Sequence, residues 1–221
     1  LDQPPTSSND GLQARMSCTL KLAGLSVVRT LTLLSDSSVV LVDERITNLR
    51  PLGRIYNMVQ HPSIAPPFLD ETTLVDSNAT FGFHQDGTIP ASRQDASRWP
   101  QMKLGDKPVD LRHFTSAAKD VTGHDVSSFV FDDKAVYGWV TACHPGQRLM
   151  LGYVWRTADY PWLNIWRYRQ EGRVTARGLE FGTTGLHQPF NILVRRGRIL
   201  DRRLLSFIDA GASQARSYIV F

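Results

Sequence analysis

Cysteine is nearly absent: the 221-residue chain has two, Cys18 and Cys143. Two thiols cannot make a disulfide framework, and by themselves they cannot complete a zinc site. They read as buried free thiols of a reducing compartment. The N-terminus also lacks a basic region followed by an apolar one, so no signal peptide is visible and a cytoplasmic location is expected. Long apolar runs are missing too. No stretch approaches the ~20 residues a membrane helix needs, so no membrane partner is expected. Nor does the chain hold H-E-x-x-H or another metal spacing, G-x-S-x-G, a phosphate loop or a dinucleotide fingerprint. These absences set aside zinc hydrolases, serine hydrolases of the elbow type and nucleotide-dependent enzymes, and no cofactor or metal is expected.

Internal repeats, low-complexity tracts and marked domain boundaries are absent as well, so residues 1–221 are read as one domain. The chain opens on Leu1 rather than methionine and stops within Ser217–Phe221, which has strand composition. It is therefore read as a chain cut at both ends.

What is present is ordinary for a folded protein: 42% hydrophobic and 21% charged residues argue against disorder. Much of the formal charge of +4 sits in Arg195, Arg196, Arg198, Arg202 and Arg203. These flank Gly197 between Asn191–Val194 and Leu204–Ile208, two apolar runs read as strands. They look like the solvated end of a hairpin, and no nucleic-acid partner is expected.

The dominant period is two. Residues 38–47 are rich in β-branched side chains and read as a long strand. The same pattern recurs at Met16–Leu22, Ser26–Leu34, Ser128–Phe131, Val136–Ala142, Leu149–Trp155, Trp162–Tyr168 and Val174–Phe181. Turn signals such as Ala23-Gly24, Asp132-Asp133, Pro145-Gly146 and Glu171-Gly172 separate them. Strands at hairpin spacing predict an all-β fold, a large antiparallel β-sandwich. The stretch from His61 to Asp125 differs. It is proline-rich, too long for an idle connection, and read as a functional loop with at most a short helix at Leu111–Val121.

The hairpin from Tyr160 to Phe181 holds the most suggestive chemistry. A three-residue loop, Gln170-Glu171-Gly172, with Gly172 left-handed pairs Arg169 with Arg173. Trp162 then faces Glu180, Asn164 faces Gly178, and Trp166 faces Ala176. One side of the hairpin carries those residues with Gly182; the other carries Leu163, Ile165, Leu179 and Phe181, a core. Small residues around a carboxylate leave room for a ligand, and flat tryptophans cover the C–H faces of a sugar. Two readings stand at this point: a sugar-binding face, or core tryptophans beside a solvated glutamate. Among six histidines, His61 stands out because it ends the strand-like run Ile55–Gln60 and opens the long loop.

At these residues the chain resembles the galactose mutarotase (aldose 1-epimerase) family. Thr47-Asn48 followed by Tyr56-Asn57-Met58-Val59-Gln60-His61-Pro62 resembles the family's strand ending in a histidine. Val109-Asp110-Leu111-Arg112 and Thr122-Gly123-His124-Asp125 resemble its D-L-R and later G-x-D-H segments. Gly178-Leu179-Glu180-Phe181-Gly182, followed by Gln188-Pro189-Phe190-Asn191, resembles its glutamate strand. The resemblance spans roughly residues 10–221. It departs where Pro62-Ser63-Ile64 follows His61, and in lacking the family's N-terminal portion and last strand.

The resemblance implies a mutarotase-like β-sandwich that opens an aldose ring, free or phosphorylated, by acid–base catalysis. Glu180 would be the general base and His61 the general acid, with Asp110 and Asn164 on sugar hydroxyls; the hairpin's own face adds Trp162 and Trp166 as the flat surface beside the sugar. The partner would be a small-molecule sugar, and the protein a monomer or weak dimer. A non-catalytic carbohydrate-binding or regulatory protein on the same scaffold is the competing reading.

Overall fold

A computed structural model describes residues 1–8, 11–105 and 107–221. The chain begins with a meander of β1 (Gln3–Ser8), β2 (Gly11–Leu20), β3 (Leu25–Leu34) and β4 (Val40–Asn48). Short strands follow: β5 (Arg54–Tyr56), β6 (Val59–Gln60), β7 (Ser63–Ile64), β8 (Leu74–Ser77), β9 (Ala79–His84), β10 (Ser97–Arg98), β11 (Gln101–Leu104) and β12 (Lys107–Asp110). Five longer strands come next: β13 (Gly123–Phe131), β14 (Tyr137–His144), β15 (Leu149–Arg156), β16 (Trp162–Gln170) and β17 (Arg173–Gly182). After helix α1 (Phe190–Arg196) the chain ends in β18 (Arg198–Ile199), β19 (Arg202–Arg203), β20 (Ser206–Ile208) and β21 (Ser213–Val220).

Two antiparallel sheets dominate. The first runs β1-β2-β3-β4-β21-β15-β14-β8, and the second β10-β9-β13-β16-β17-β6, with β7 also on β17. Side chains alternate across each strand, so each sheet offers one apolar face. Val42, Val75, Val140, Trp155 and Tyr218 of the first sheet meet Phe129, Leu163, Ile165, Leu179 and Phe181 of the second in one core. The predicted β-sandwich is the observed architecture. Trp155 and Phe181 stack at its centre, 4.2 Å apart between ring centroids and 8° from parallel.

One polar knot interrupts this core. The Glu44 carboxylate, fully buried, accepts bonds from Arg29 Nε (2.7 Å), Gln60 Nε2 (2.8 Å) and the Tyr160 hydroxyl (2.7 Å). Burial and the adjoining carboxylate push the Tyr160 hydroxyl far above the usual tyrosine range. Gln60 sits on β6 directly opposite Phe181, so the knot ties the first sheet to the strand that precedes His61.

Three local expectations are corrected. Residues 191–194 belong to a helix rather than a strand. Pro189 stands at its N-cap, Gly197 ends it with a positive φ of 69°, and Leu193 is its single buried side chain. Ile192 and Val194 are half exposed, so their β-branched composition follows no sheet. The expected hairpin of 191–194 with 204–208 around Gly197 does not form: Arg198 pairs with Arg203 in a small hairpin beyond it, and Ser206–Ile208 pairs with β5. The second correction is Leu111–Val121, which is an irregular segment with turns at both ends rather than a helix. It buries Leu111 and Phe114, and the Arg177 guanidinium on β17 donates to the carbonyls of Leu111 and Arg112. Third, both cysteines are free, but Cys18 is exposed on β2 and Cys143 only partly buried. Among the described residues no helix is long and apolar enough to cross a membrane.

Candidate active site

The site lies on the outer face of the second sheet, where β17 meets its edge. Glu171 and Gly172 form a two-residue turn with φ of 51° and 75°, the signature of a type I′ hairpin. A bulge between Tyr168 and Arg169 then leaves Thr175 unpaired. The resulting register pairs Asn164 with Glu180, Trp166 with Gly178 and Trp162 with Gly182. Each pair lies two residues from the expected register. An even displacement preserves faces, so the expected grouping of side chains holds while the individual partners change.

Gly178 gives the carboxylate its room. A Cβ there would stand 3.0 Å from Glu180 Oε1 and 3.1 Å from Trp166 Cβ. On the far side of β17 the edge is broken. Gln60 pairs with Phe181 and Ser63 with Gly178, while the intervening His61-Pro62 leaves the ladder. Proline has no N–H to donate, and Pro62 instead accepts a bond from the Leu179 amide (2.9 Å). The break swings the His61 ring over the outer face. Its Nε2 lies 2.8 Å from Glu180 Oε1 and its Nδ1 3.2 Å from Ser63 Oγ.

Glu180 is 1% exposed, yet neither carboxyl oxygen has a hydrogen-bond partner. The His61 approach is close but is not aligned along an N–H. Its cross-strand neighbour Asn164, fully buried, donates Nδ2 to the Thr184 carbonyl (3.2 Å) and leaves Oδ1 without a partner. Buried polar atoms are almost always paired, so three orphans on two facing residues call for an explanation. Burial pushes the Glu180 carboxyl up to about 7.

The second imidazole is one to which the sequence assigns no role. His187 Nε2 stands 3.5 Å from Glu180 Oε2, so the carboxyl lies between two histidines. Burial first, and the nearby His61 second, lower the His187 pKa. No short motif announces this residue: it reaches the site through the return of the chain after β17. The Gln85 side chain fixes that return, accepting from the His187 amide (2.9 Å) while donating to Ser128 Oγ (2.8 Å).

The remaining expected residues divide. Trp166 is half-buried on the site face, 5.9 Å from the His61 ring and stacked parallel on Tyr168. Trp162 is fully buried instead. It packs with Phe83, Val130, Leu186, Leu193 and Leu204, donates Nε1 to the Arg203 carbonyl (2.8 Å), and offers no face to a ligand. Gly185 lies against its ring; a Cβ there would come within 2.0 Å. Asp110 is separate from the carboxylate. Its segment is held by Arg177, which points to the opposite face of β17 from Glu180, and its carboxylate is bonded to Arg112 Nε and Nη2 (3.1 and 2.6 Å). The Arg112 guanidinium holds the Asp110 carboxyl below its usual range. Among the described residues no cluster of three or more His, Cys, Asp or Glu could hold a metal ion.

The two facing antiparallel sheets form a large β-sandwich of a kind already seen in solved structures. The chain shares this fold with a candidate aldose 1-epimerase of Klebsiella pneumoniae (TM-score 0.71, 14% identity), aligning over 98% of its own length. A galactose mutarotase-like protein of Clostridium acetobutylicum aligns over 99% of the chain (TM-score 0.60, 11% identity). The chain spans 52% of the first protein and 64% of the second. A TPR-domain containing protein of Parabacteroides distasonis matches as well, at TM-score 0.61 and 11% identity, with 33% of its length covered. At these identities the likeness describes the fold, which many functions can share. No family model and no curated protein matches the sequence.

Proposed function

We propose that the protein is an aldose 1-epimerase-like isomerase that interconverts the anomers of a free or phosphorylated aldose. One observation carries the reading: a buried carboxyl with both oxygens unpartnered, poised near neutrality, in contact with a half-exposed imidazole. A base that ionises near the working pH combines a useful deprotonated fraction with real proton affinity. Glu180 takes the proton of the anomeric hydroxyl, and His61 gives one to the ring oxygen. The ring opens, the C1–C2 bond turns, and closure on the other carbonyl face yields the opposite anomer.

The two groups touch, so no sugar ring fits between them as they stand. The anomeric hydroxyl and the ring oxygen hang on one carbon, however, and the acid and base need little separation to serve both. With 54% of its side chain exposed, His61 is free to turn aside, whereas Glu180 is fixed in the sheet. Trp166, at the mouth, supplies the flat surface for the sugar. Trp162 takes no part in binding.

Exchange NMR between the anomers of an aldose tests the proposal. Glu180→Gln is expected to lower the exchange rate ~10²–10⁴-fold, the usual worth of a general base, with little change in sugar affinity. A variant that keeps wild-type turnover removes Glu180 from the mechanism. Sugar binding with no exchange in the wild-type protein would instead establish the non-catalytic reading.

A further inference from the structure

The histidine beyond the glutamate strand has a task of its own, which rests on the reading of Glu180 as the base. We propose that His187 is a positioning residue for that base: it donates its Nε2–H to Glu180 Oε2 as the carboxyl ionises, leaving Oε1 turned to the substrate.

The geometry separates the two oxygens. His61 occupies the Oε1 side at 2.8 Å, and His187 the Oε2 side at 3.5 Å. The longer distance is wide for a hydrogen bond and closes with a small rotation of the ring or carboxyl. The root of His187 is unusually well fixed for a residue on a connection. Its amide is held by Gln85, which also donates to the Gly185 carbonyl (3.3 Å) and to buried Ser128. Leu186, immediately before it, is locked into the cluster around Trp162. A side chain rooted in this way orients its neighbour rather than following it.

The charge state fits the task. Burial and His61 favour the neutral form of His187. A neutral imidazole has one N–H and one acceptor nitrogen, so it can stabilise a carboxylate without adding a buried cation. The titratable groups facing Glu180 are few. His61 approaches from the β6–β7 edge and His187 from the chain after β17. Strand β16 presents neutral Asn164 and Trp166, and β13 presents Ser128 together with His124, whose ring packs on Trp166 at 6.5 Å.

The test is a carbon-13 titration of the Glu180 carboxyl, assigned by its loss in Glu180→Gln. In His187→Phe the midpoint is expected to rise by about one pH unit, the scale of one lost hydrogen bond to a carboxylate. His187→Gln, which keeps an amide donor, should hold the midpoint nearer the wild-type value. Anomer exchange in His187→Phe should fall several-fold at neutral pH with KM unchanged, recovering as pH rises. An unmoved carboxyl midpoint in His187→Phe overturns the proposal. Nitrogen-15 shifts of the wild-type imidazole supply a measurement that needs no variant: Nε2–H is expected, and an Nδ1–H tautomer overturns it. Should the wild-type protein show no anomer exchange, the isomerase reading fails, while the titration still decides what His187 does to Glu180.

Discussion

Replacing Glu180 by glutamine should make the protein more stable, and by an amount that depends on pH. The carboxyl ionises near its ordinary 4.5 in the unfolded chain but at about 7 in the fold. Below the lower value both states hold the proton and the group contributes nothing to the pH dependence. Between the two, the folded state binds a proton that the unfolded state has released, so stability falls as pH rises. Above about 7 the loss is complete. At about 1.4 kcal/mol for each tenfold change, it comes to roughly 3 kcal/mol. That is a large share of the ~5–15 kcal/mol that separates most folded domains from their unfolded chains.

Glutamine has nearly the same shape and cannot ionise, so the variant escapes this loss. Urea unfolding of both proteins at several values between about pH 4 and pH 9 is the assay. The two stabilities are expected to diverge steadily through the window from 4.5 to about 7 and to run parallel above it. Comparing pH dependences removes any constant cost of burying the amide. Curves parallel throughout would refute the reasoning, because they would mean that the fold does not disfavour the charged carboxylate. A stabilised but inactive variant would show that the chemistry is maintained at the expense of stability.

The two tryptophans of the hairpin should separate cleanly. Trp162→Ala removes a buried ring and its bond to Arg203, and should cost about 3–5 kcal/mol in urea unfolding. Trp166→Ala should cost under about 1 kcal/mol, as for most partly exposed positions, yet weaken sugar binding measured by titration calorimetry. Glu44→Ala should destabilise by about 3–5 kcal/mol, because it strands Arg29, Gln60 and Tyr160 around a lost buried charge. Loss of anomer exchange in that variant should follow global unfolding rather than precede it.

Much of the sandwich was legible because period-two patterning records which side of a strand is buried. That record is local, and it survived even where the hairpin's partners were misplaced. The helix at 190–196 was not legible, since Ile192, Leu193 and Val194 have strand composition and a proline–glycine frame decides their conformation. Short strands such as β7, β10 and β12 carry too few residues for a period to show. Glu180 and His61 stood out through their neighbours and a family likeness. His187 did not, because its place depends on Gln85, 102 residues earlier in the chain. Trp162 was misassigned for a related reason: its pattern tells which face it occupies, whereas its cover comes from residues 186–204.

The unpaired Thr175 has a consequence for how this hairpin can change. A two-residue turn followed by one extra residue returns β17 to the face that a three-residue loop would also have chosen. Turn and bulge can therefore be exchanged for each other, provided the count between Asn164 and Glu180 keeps its parity. Removing Thr175 alone breaks that parity. Glu180 would then turn into the apolar interior while Leu179 and Phe181 turned out to solvent, reversing the whole strand at once. A single residue, remote from the chemistry, thus sets which side of β17 faces the core.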